Sequence, residues 1–259
     1  MKIIFSADWH FSQKRKYITD HVCENYFNDL SQIKEPFIQI IGGDIFDNKM
    51  NSSVDDFILV KDFLQRCEAY SDVYVILGNH DFNIRNKTSG NMIDKVLDNF
   101  KFTRIVFLKN SGVHSIGNIH LHVFSIYDDM NYQYKKVNTT NTVNIGLYHG
   151  LLKGSSFFNG HIKKTQGLDK EYFSNKGLDL LLLGDVHKRQ EIQITDTLTA
   201  IYTGSPYQVH FGENINNHGY TVVNIDEQNK LSYNFEDLEN QYNFVKLNYD
   251  NNQFNILNI

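Results

Sequence analysis

Short apolar runs that end in glycine or in polar residues recur along the first half of the chain. Residues 38–41 form such a run, which stops at Gly42 and Gly43 and is followed by Asp44. A run this short, preceded by Pro36, predicts a strand buried on both faces, as in parallel or mixed α/β sheets. Glycine at the carboxyl end of a strand permits a tight turn and the close approach of a ligand. Asp44 is therefore predicted to lie at a binding edge of a sheet.

Four other apolar runs end at residues able to bind metal or to move protons. They predict strands over residues 2–7, 73–77, 143–148 and 178–183. Shorter strands are predicted at 104–108, 113–116, 119–126, 191–194, 199–203, 220–225, 231–235 and 244–247. From Glu191 onward the pattern consists of short strands and turns, so the C-terminal half is expected to be α+β.

Apolar residues at helical spacing separate the first strands. Positions 18–33 predict an amphipathic helix that ends before Pro36. Positions 54–64 predict a second helix with Ser52 or Ser53 as its N-cap. Two further segments are predicted, a helix at 91–100 and a long polar surface loop at 127–141.

These elements together indicate one main α/β domain. No internal repeat, low-complexity segment or linker interrupts them. We predict a layered β-sandwich flanked by helices, α/β with an α+β C-terminal half, rather than a doubly wound sheet. The main domain is expected to span residues 1–225, and residues 226–259 are expected to form a strand-rich C-terminal extension.

The composition is that of a globular protein. Of 259 residues, 41% are hydrophobic, 21% are charged and only 2 are proline, which excludes fibrous and disordered classes. Cys23 and Cys67 lack CxxC spacing, so both are expected to be buried apolar residues rather than a disulfide, a zinc site or a nucleophile. No apolar run approaches the ~18 residues of a membrane span, and the N-terminal run is too short for a signal peptide. A cytoplasmic protein with no membrane partner is expected.

Carboxylates, imidazoles and one amide accumulate at five predicted strand ends. The residues are Asp8 and His10, Asp44 and Asp47, Asn79 and His80, His149, and Asp185 and His187. This mixture suits two divalent metal ions ~3.5–4 Å apart that share one carboxylate, and Asp44 is the natural bridge. Two such cations neutralise the charge that grows on a phosphate ester during displacement, and they lower the pKa of a water molecule. For Asp44 considered alone, the cap of the following helix is the alternative role.

A resemblance to a known superfamily follows from these motifs. The order D-x-H, G-D-x-x-D, G-N-H-D, H and G-x-x-H resembles the calcineurin-like metallophosphoesterases over residues 1 to about 225. The resemblance implies a sheet sandwich flanked by helices and two divalent metal ions, Mn²⁺ with Mg²⁺ as the alternative. It implies that metal one is bound by Asp8, His10, Asp44 and His187. It implies that metal two is bound by Asp44, Asn79, His149 and Asp185.

The same resemblance assigns roles to the neighbours of these ligands. His80 is expected to contact the phosphate and to act as general acid for the leaving oxygen. Asp47 and Asp81 are expected to orient histidines, as metal-bound and catalytic imidazoles require. Asp185 stands where many SbcD-type nucleases of this superfamily have histidine. It is therefore expected to add an anionic ligand at metal two.

Three segments resemble SbcD-type DNA-repair nucleases, and especially their short bacteriophage forms. They are residues 43–47, 184–190 and 204–213. The resemblance implies a manganese-dependent exonuclease and endonuclease that acts on DNA in repair or recombination, with an SbcC-like SMC-type ATPase and a homodimer as candidate assemblies. The alternatives are a phosphomonoesterase or cyclic-nucleotide phosphodiesterase with the same metal pair, and a non-catalytic scaffold.

Charge changes this picture only locally. A net charge of −5 argues against a generally basic nucleic-acid binder. Many cations nevertheless lie within a few residues of the motifs, where they are expected to contact phosphates without reading sequence. They are Lys14, Arg15, Lys16, Lys49, Arg85, Lys87, Lys153, Lys163, Lys164, Lys188 and Arg189. His120 and His122 share one strand face, where a structural histidine pair is commoner than a zinc site.

Overall fold

The described strands of the protein form two mixed six-stranded sheets and a separate C-terminal hairpin. The structure is a computed structural model that describes residues 1–48, 52–81, 100–128, 141–158, 160–161, 165–250 and 253–257. The predicted helix at 91–100 and most of the predicted loop at 127–141 therefore lie outside the described residues. The layered α/β sandwich predicted from the sequence is confirmed.

The first sheet is built largely from the N-terminal half of the chain. Its strands are β1 (Lys2–Ser6), β2 (Phe37–Ile41), β3 (Val73–Ile76), β4 (Ile105–Leu108), β11 (Gly219–Ile225) and β12 (Leu231–Asp237), in the order β12-β11-β1-β2-β3-β4. Strands β1 to β4 run parallel, and β11 and β12 are antiparallel to their neighbours. The predicted domain boundary at residue 225 falls between β11 and β12, which are hydrogen-bonded to each other, and that boundary stays a prediction.

The second sheet has four parallel strands at its centre. Its members are β5 (Gly112–Ile116), β6 (Ile119–Phe124), β7 (Val143–His149), β8 (Leu180–Gly184), β9 (Gln190–Gln193) and β10 (Thr199–Tyr202), in the order β5-β6-β7-β8-β10-β9. The edge strands β5 and β9 are antiparallel. The hairpin consists of β13 (Lys246–Asp250) and β14 (Gln253–Leu257), of which the sequence pattern predicted only the first strand.

Two long helices cover the outer face of the first sheet. Helix α1 (Lys16–Gln32) and helix α2 (Val54–Tyr70) occupy the positions that the apolar spacing predicted. Ser53 is the N-cap of α2: its hydroxyl accepts the main-chain N–H of Asp56, whose carboxylate accepts the N–H of Ser53. A single helical turn, α3 (Glu171–Ser174), lies beside the second sheet. No described helix is long and apolar enough to cross a membrane.

The alternation of side chains along each strand divides the interior into layers. Ile3 and Phe5 of β1 point between the two sheets, whereas Ile4 points toward α1 and α2. A third cluster, which includes Phe173 of α3, covers the outer face of the second sheet. Cys23 and Cys67 are buried and unpaired with each other, as predicted. The sheets therefore pack as a sandwich between helices, and the carboxyl ends of their parallel strands meet at one edge.

Candidate metal centre

Main-chain hydrogen bonds join the loops that follow the parallel strands. The N–H of Asp8 donates to the carbonyl of Gly43 over 3.0 Å, and the N–H of His10 donates to the carbonyl of Asp44 over 3.0 Å. The N–H of Asp185 donates to Oδ1 of Asp8, also over 3.0 Å, and thereby connects the second sheet to the first. The packing of the two sheets against each other thus brings the predicted site residues to one place.

Four of the predicted ligands have a left-handed backbone. The φ angles are +58° at Asp8, +47° at His10, +51° at Asp44 and +89° at Asp185. Residues other than glycine rarely adopt positive φ, and such conformations cluster at functional sites because the surrounding structure must compensate for them. The rest of the site therefore has to hold the backbone of these four residues in the left-handed conformation, which sets the direction of their side chains.

Glycines give the loops room to approach. A Cβ atom on Gly78 would lie 2.1 Å from Oδ1 of Asp44, and one on Gly43 would lie 2.5 Å from Nδ1 of His149. These separations are far inside van der Waals contact, and the neighbours are fixed groups of the site. Gly43 and Gly78 therefore have to be glycine if Asp44 and His149 are to lie where they do.

One group of ligand atoms contains two imidazoles that face each other. Nε2 of His10 and Nε2 of His187 lie 3.0 Å apart, and a carboxylate oxygen of Asp8 lies within 4.8 Å of both rings' ligand atoms. Oδ2 of Asp44 lies 3.8 Å from Nε2 of His10. The structure thus brings together all four residues expected at metal one.

A second group lies on the other side of Asp44. Nε2 of His149 is 3.3 Å from Oδ1 of Asp44 and 3.2 Å from the amide oxygen of Asn79. Asp8 also has a ligand atom within 4.8 Å of those of Asp44 and His149. Asp8 therefore has a ligand atom in both groups, as Asp44 does. The sequence did not predict this shared position of Asp8.

Asp185 is close to these groups through its main chain. Among the described residues, its carboxylate joins no group of three histidine, cysteine or carboxylate ligand atoms. Burial raises the pKa of Asp185, although the charge of His149 opposes that rise. Its assignment to metal two stays a prediction.

Burial and opposite charges act against each other at the central carboxylates. Burial raises the pKa of Asp8 to about 6, despite the nearby imidazoles of His149 and His187. Burial alone would also raise the pKa of Asp44, but His149, through its charge and a hydrogen bond, holds that pKa well below its usual range. Asp44 is therefore the more strongly anionic of the two carboxylates and the better partner for cations.

Two histidines are oriented by acceptors that the sequence analysis did not assign. Nδ1 of His187 donates to Oε1 of Glu213 over 2.6 Å, and Nδ1 of His149 donates to the carbonyl of Gly42 over 2.6 Å. Carboxylates and carbonyls accept hydrogen bonds only, so in the neutral form of each ring the proton is on Nδ1, and Nε2 has the lone pair that a cation would take. Glu213 is the last residue of segment 204–213, which resembles SbcD-type nucleases, but nothing in its spacing distinguished it from an ordinary surface acid.

Asp47 orients a histidine as expected, although through its main-chain carbonyl, whereas the expected role of Asp81 has to be corrected. The carboxylate of Asp47 accepts a hydrogen bond from Arg15 over 3.0 Å, and it is the main-chain carbonyl of Asp47 that accepts Nδ1 of His80 over 2.5 Å. The carboxylate of Asp81 accepts the N–H groups of Ile45, Phe46 and Gly78. Asp81 therefore shapes the loop that carries Asp44 rather than a histidine, because bending that loop leaves its N–H groups without main-chain acceptors.

His80 lies at the edge of the first group. Its main-chain N–H donates to Oδ1 of Asp44 over 2.7 Å, and its ring lies 4.9 Å from the ring of His10, centroid to centroid. Ligand atoms of His80, His10 and Asp44 lie within 4.8 Å of one another. Because Nδ1 of His80 donates to a carbonyl, Nε2 is the atom available for a substrate or a metal ion.

Most of the described cations near the motifs are already neutralised. Arg15 pairs with Asp47, Lys16 with Asp20, Lys153 with Asp169, and Arg189 with Asp237. Within the part of the chain that the structure describes, Lys14 and Lys188 form no ion pair. Lys49, Arg85, Lys87, Lys163 and Lys164 lie outside the described residues. The expectation that cations surround the site stays a prediction.

His120 and His122 take no part in the site. Nδ1 of His120 lies 2.7 Å from the hydroxyl of Ser115, and Nε2 of His122 lies 2.9 Å from the amide oxygen of Asn144. Neither belongs to a group of candidate metal ligands among the described residues. The structural interpretation of this pair agrees with these contacts.

Similarity to known proteins defines the class to which this fold and site belong. The sequence model of the calcineurin-like phosphoesterase family matches residues 1–214. The chain belongs to the calcineurin-like phosphoesterase family. The match identifies the family alone.

The chain is also similar to individual proteins. The chain is 29% identical over 191 residues to the uncharacterized protein R555 of Acanthamoeba polyphaga mimivirus, covering 70% of this chain and 14% of that protein. It is 26% identical over 203 residues to the uncharacterized metallophosphoesterase YhaO of Bacillus subtilis, covering 76% of this chain and 47% of that protein. The chain thus spans less than half the length of either relative.

A solved structure shares the fold. The crystal structure of a 5′-nucleotidase precursor from Thermus thermophilus superposes with a TM-score of 0.51 at 10% identity, over 93% of this chain and 54% of that one. At this identity the similarity concerns the fold alone.

Members of the family use divalent metal ions, and the residues present here fit such ions. Two imidazole nitrogens 3.0 Å apart and a carboxylate shared between two groups form a donor set that a divalent cation satisfies. Nδ1 of His10 is buried without a hydrogen-bond partner among the described residues.

Proposed function

We propose that the protein is a dinuclear metal-dependent phosphodiesterase that cleaves DNA, of the SbcD type. One observation carries the proposal: Asp44 lies 3.3 Å from His149 and 3.8 Å from His10, so one carboxylate serves two groups of metal ligands. Such sharing is typical of sites that hold two cations close enough to contact one phosphate. A site for a single structural ion has no need of it.

The choice of DNA as substrate rests on the sequence segments that resemble SbcD-type nucleases. Segment 204–213 supplies Glu213, which orients His187, so one of those segments is part of the site's support. Lys14 and Lys188 are available for phosphate contacts without reading sequence. An SbcC-like ATPase and a homodimer belong to the same proposal as candidate assemblies.

Bound divalent cations would supply hydroxide near neutral pH and would neutralise charge on the phosphate. The residues of the chain then have two tasks. Asp8, His10, Asp44, Asn79, His149, Asp185 and His187 hold the cations. His80 delivers a proton: its Nδ1–H is fixed on the carbonyl of Asp47, so in the imidazolium form Nε2–H is free to protonate the leaving oxygen.

The donor set also bears on the metal. Oxygen ligands favour Mn²⁺ and Mg²⁺, whereas imidazole favours Zn²⁺, Ni²⁺ and Fe²⁺. Asp8, Asp44, Asn79 and Asp185 supply oxygen, and three histidines supply nitrogen. Mn²⁺, which accepts both kinds of ligand, is proposed as the working metal.

The test is a comparison of substrates with the purified protein in Mn²⁺ or Mg²⁺. The substrates are single- and double-stranded DNA labelled at either end, bis-p-nitrophenyl phosphate, a cyclic nucleotide and mononucleotides. Cleavage of DNA with little release of phosphate from mononucleotides is expected. Preferred hydrolysis of mononucleotides would favour a phosphomonoesterase, and no hydrolysis with no metal bound would favour a scaffold.

A further inference from the structure

A cavity of about 280 Å³ is lined by none of the candidate metal ligands. Its walls include Phe158, Lys188, Arg189, Asn214, Asn217 and Phe235. This volume is slightly below the ~300–1,000 Å³ of typical small-molecule sites, so the cavity accommodates one planar ring system rather than several.

Rigid contacts build the cavity. The side-chain amide of Gln190 accepts the N–H of Ser156 and donates to the carbonyl of the same residue, both over 2.9 Å, which fixes the segment that carries Phe158. Arg189 donates to the carbonyls of Thr203 and Glu236, and its guanidinium lies 4.8 Å from the ring centroid of Phe235. These contacts hold the guanidinium of Arg189 in the wall of the cavity, so it is not a mobile cation.

Other groups of the cavity have unused hydrogen-bonding capacity. In the described part of the chain, the side-chain amides of Asn214 and Asn217 make no hydrogen bond, and the ammonium group of Lys188 makes no ion pair. The ring of Phe158 contacts that of His218, with centroids 5.8 Å apart. An aromatic ring, two carboxamides and one cation suit a planar heteroaromatic group with polar edges that is attached to a phosphate.

Two residues of the cavity are next in sequence to residues of the metal centre. Lys188 follows the candidate ligand His187 in the chain, and Asn214 follows Glu213, which accepts the hydrogen bond from His187. Each of these two cavity residues is thus one peptide bond away from the His187–Glu213 pair.

We propose that this cavity binds the nucleobase of the nucleotide that flanks the reacting phosphate, with Phe158 as the stacking surface. The proposal rests on the proposed function, since it names the part of the substrate that the same site recognises. Base stacking tolerates any sequence, whereas the two amides can favour particular bases.

The experiment compares two diesters that share one leaving group. Thymidine 5′-(p-nitrophenyl phosphate) carries a nucleoside, and methyl p-nitrophenyl phosphate does not. With Mn²⁺, Phe158→Ala is expected to lower kcat/KM for the nucleoside ester by roughly 5- to 150-fold, mainly through KM, the range that loss of one stacked base produces. The methyl ester should be hydrolysed at the wild-type rate. Tyr249→Ala removes an aromatic ring that is 60% exposed on β13 and outside the cavity, and should change neither.

Equal losses on both esters, or no loss on either, would overturn the nucleobase site. Failure of the wild-type protein to hydrolyse either ester would count against the proposed function instead. In that case the cavity is tested by adding 2-aminopurine riboside to the protein. The fluorescence of this nucleoside is quenched when its base stacks on an aromatic ring. Quenching by wild type and Tyr249→Ala but not by Phe158→Ala supports the cavity, and equal quenching by all three rejects it.

Discussion

The hydrogen bond between His187 and Glu213, 2.6 Å from Nδ1 to Oε1, joins a metal-site histidine to a loop 26 residues further along the chain. The other carboxylate oxygen of Glu213 accepts the main-chain N–H of Val209 over 2.8 Å. Burial alone would lower the pKa of His187, but the hydrogen bond with Glu213 and the charge of Asp8 raise it to about 9. Glu213 therefore fixes the ring of His187 and increases the basicity of its outer nitrogen.

Glu213→Gln is expected to weaken metal binding by ~10–100-fold, the usual effect of losing a partner that orients a ligand. The amide keeps the shape of the side chain but accepts the imidazole N–H without a full negative charge. Calorimetric titration with Mn²⁺ measures the change. Glu227→Gln, at an exposed position, is the matched control and should bind Mn²⁺ like the wild type. Equal affinity in the two variants would contradict the assigned role.

Asp44→Asn is expected to abolish binding of both metal ions and all hydrolysis, while the fold is retained. The reason is that the carboxylate of Asp44 contacts ligands of both groups. Metal content per chain is the measurement, with circular dichroism as the check on folding. Asp62→Asn, on the exposed surface of α2, is the control. One metal ion bound at wild-type affinity would show that Asp44 does not bridge.

His80→Ala is expected to retain the metals and to lose ~10²–10⁴ in rate, as for removal of a positioned general acid. The readouts are metal stoichiometry and the rate on a diester with a poor leaving group. Because His80 also lies near His10 and Asp44, the alternative role is a metal ligand. Loss of a metal ion from the variant would establish that alternative.

Gly78→Ala is expected to destabilise the protein by about 1–3 kcal/mol, the range for overpacking, and to impair metal binding. The added methyl group would lie 2.2 Å from the main-chain nitrogen of Asp44 and displace that residue. Denaturant unfolding and metal titration measure both effects. Gly112→Ala is the control, because nothing lies within 4 Å of its added Cβ. Similar stability of the two variants would show that the loop adjusts freely.

Asp185→His is expected to retain the fold and some activity, and to shift metal preference from Mn²⁺ and Mg²⁺ toward Zn²⁺, Ni²⁺ or Fe²⁺. An imidazole in place of a carboxylate removes a hard, anionic ligand. Activity across a metal series, with metal content determined on the same samples, is the measurement. An unchanged preference and stoichiometry would mean that Asp185 is not a ligand.

The sequence predicted the fold and the position of the site because those signals are local. Apolar period and glycine breaks mark each strand and its end, and the residues after five strand ends supply metal-binding atoms. Ser53 was recognisable as a helix cap for the same reason: its partner Asp56 lies three residues away. Parallel strands place their carboxyl ends together, so convergence of these loops could be expected without coordinates.

The contacts that orient the ligands were decided only by the tertiary structure. His10 and His187 are 177 residues apart in sequence. Their nitrogens meet because the packing of the two sheets brings the loop after β1 next to the loop after β8. Asp81 accepts N–H groups from the loop of Asp44, a role that depends on how that loop bends. Arg15 and Arg189 are paired with acids that no local pattern connects to them. The sequence by itself thus determined which side chains reach the site, whereas packing between distant segments determined which of them support the others.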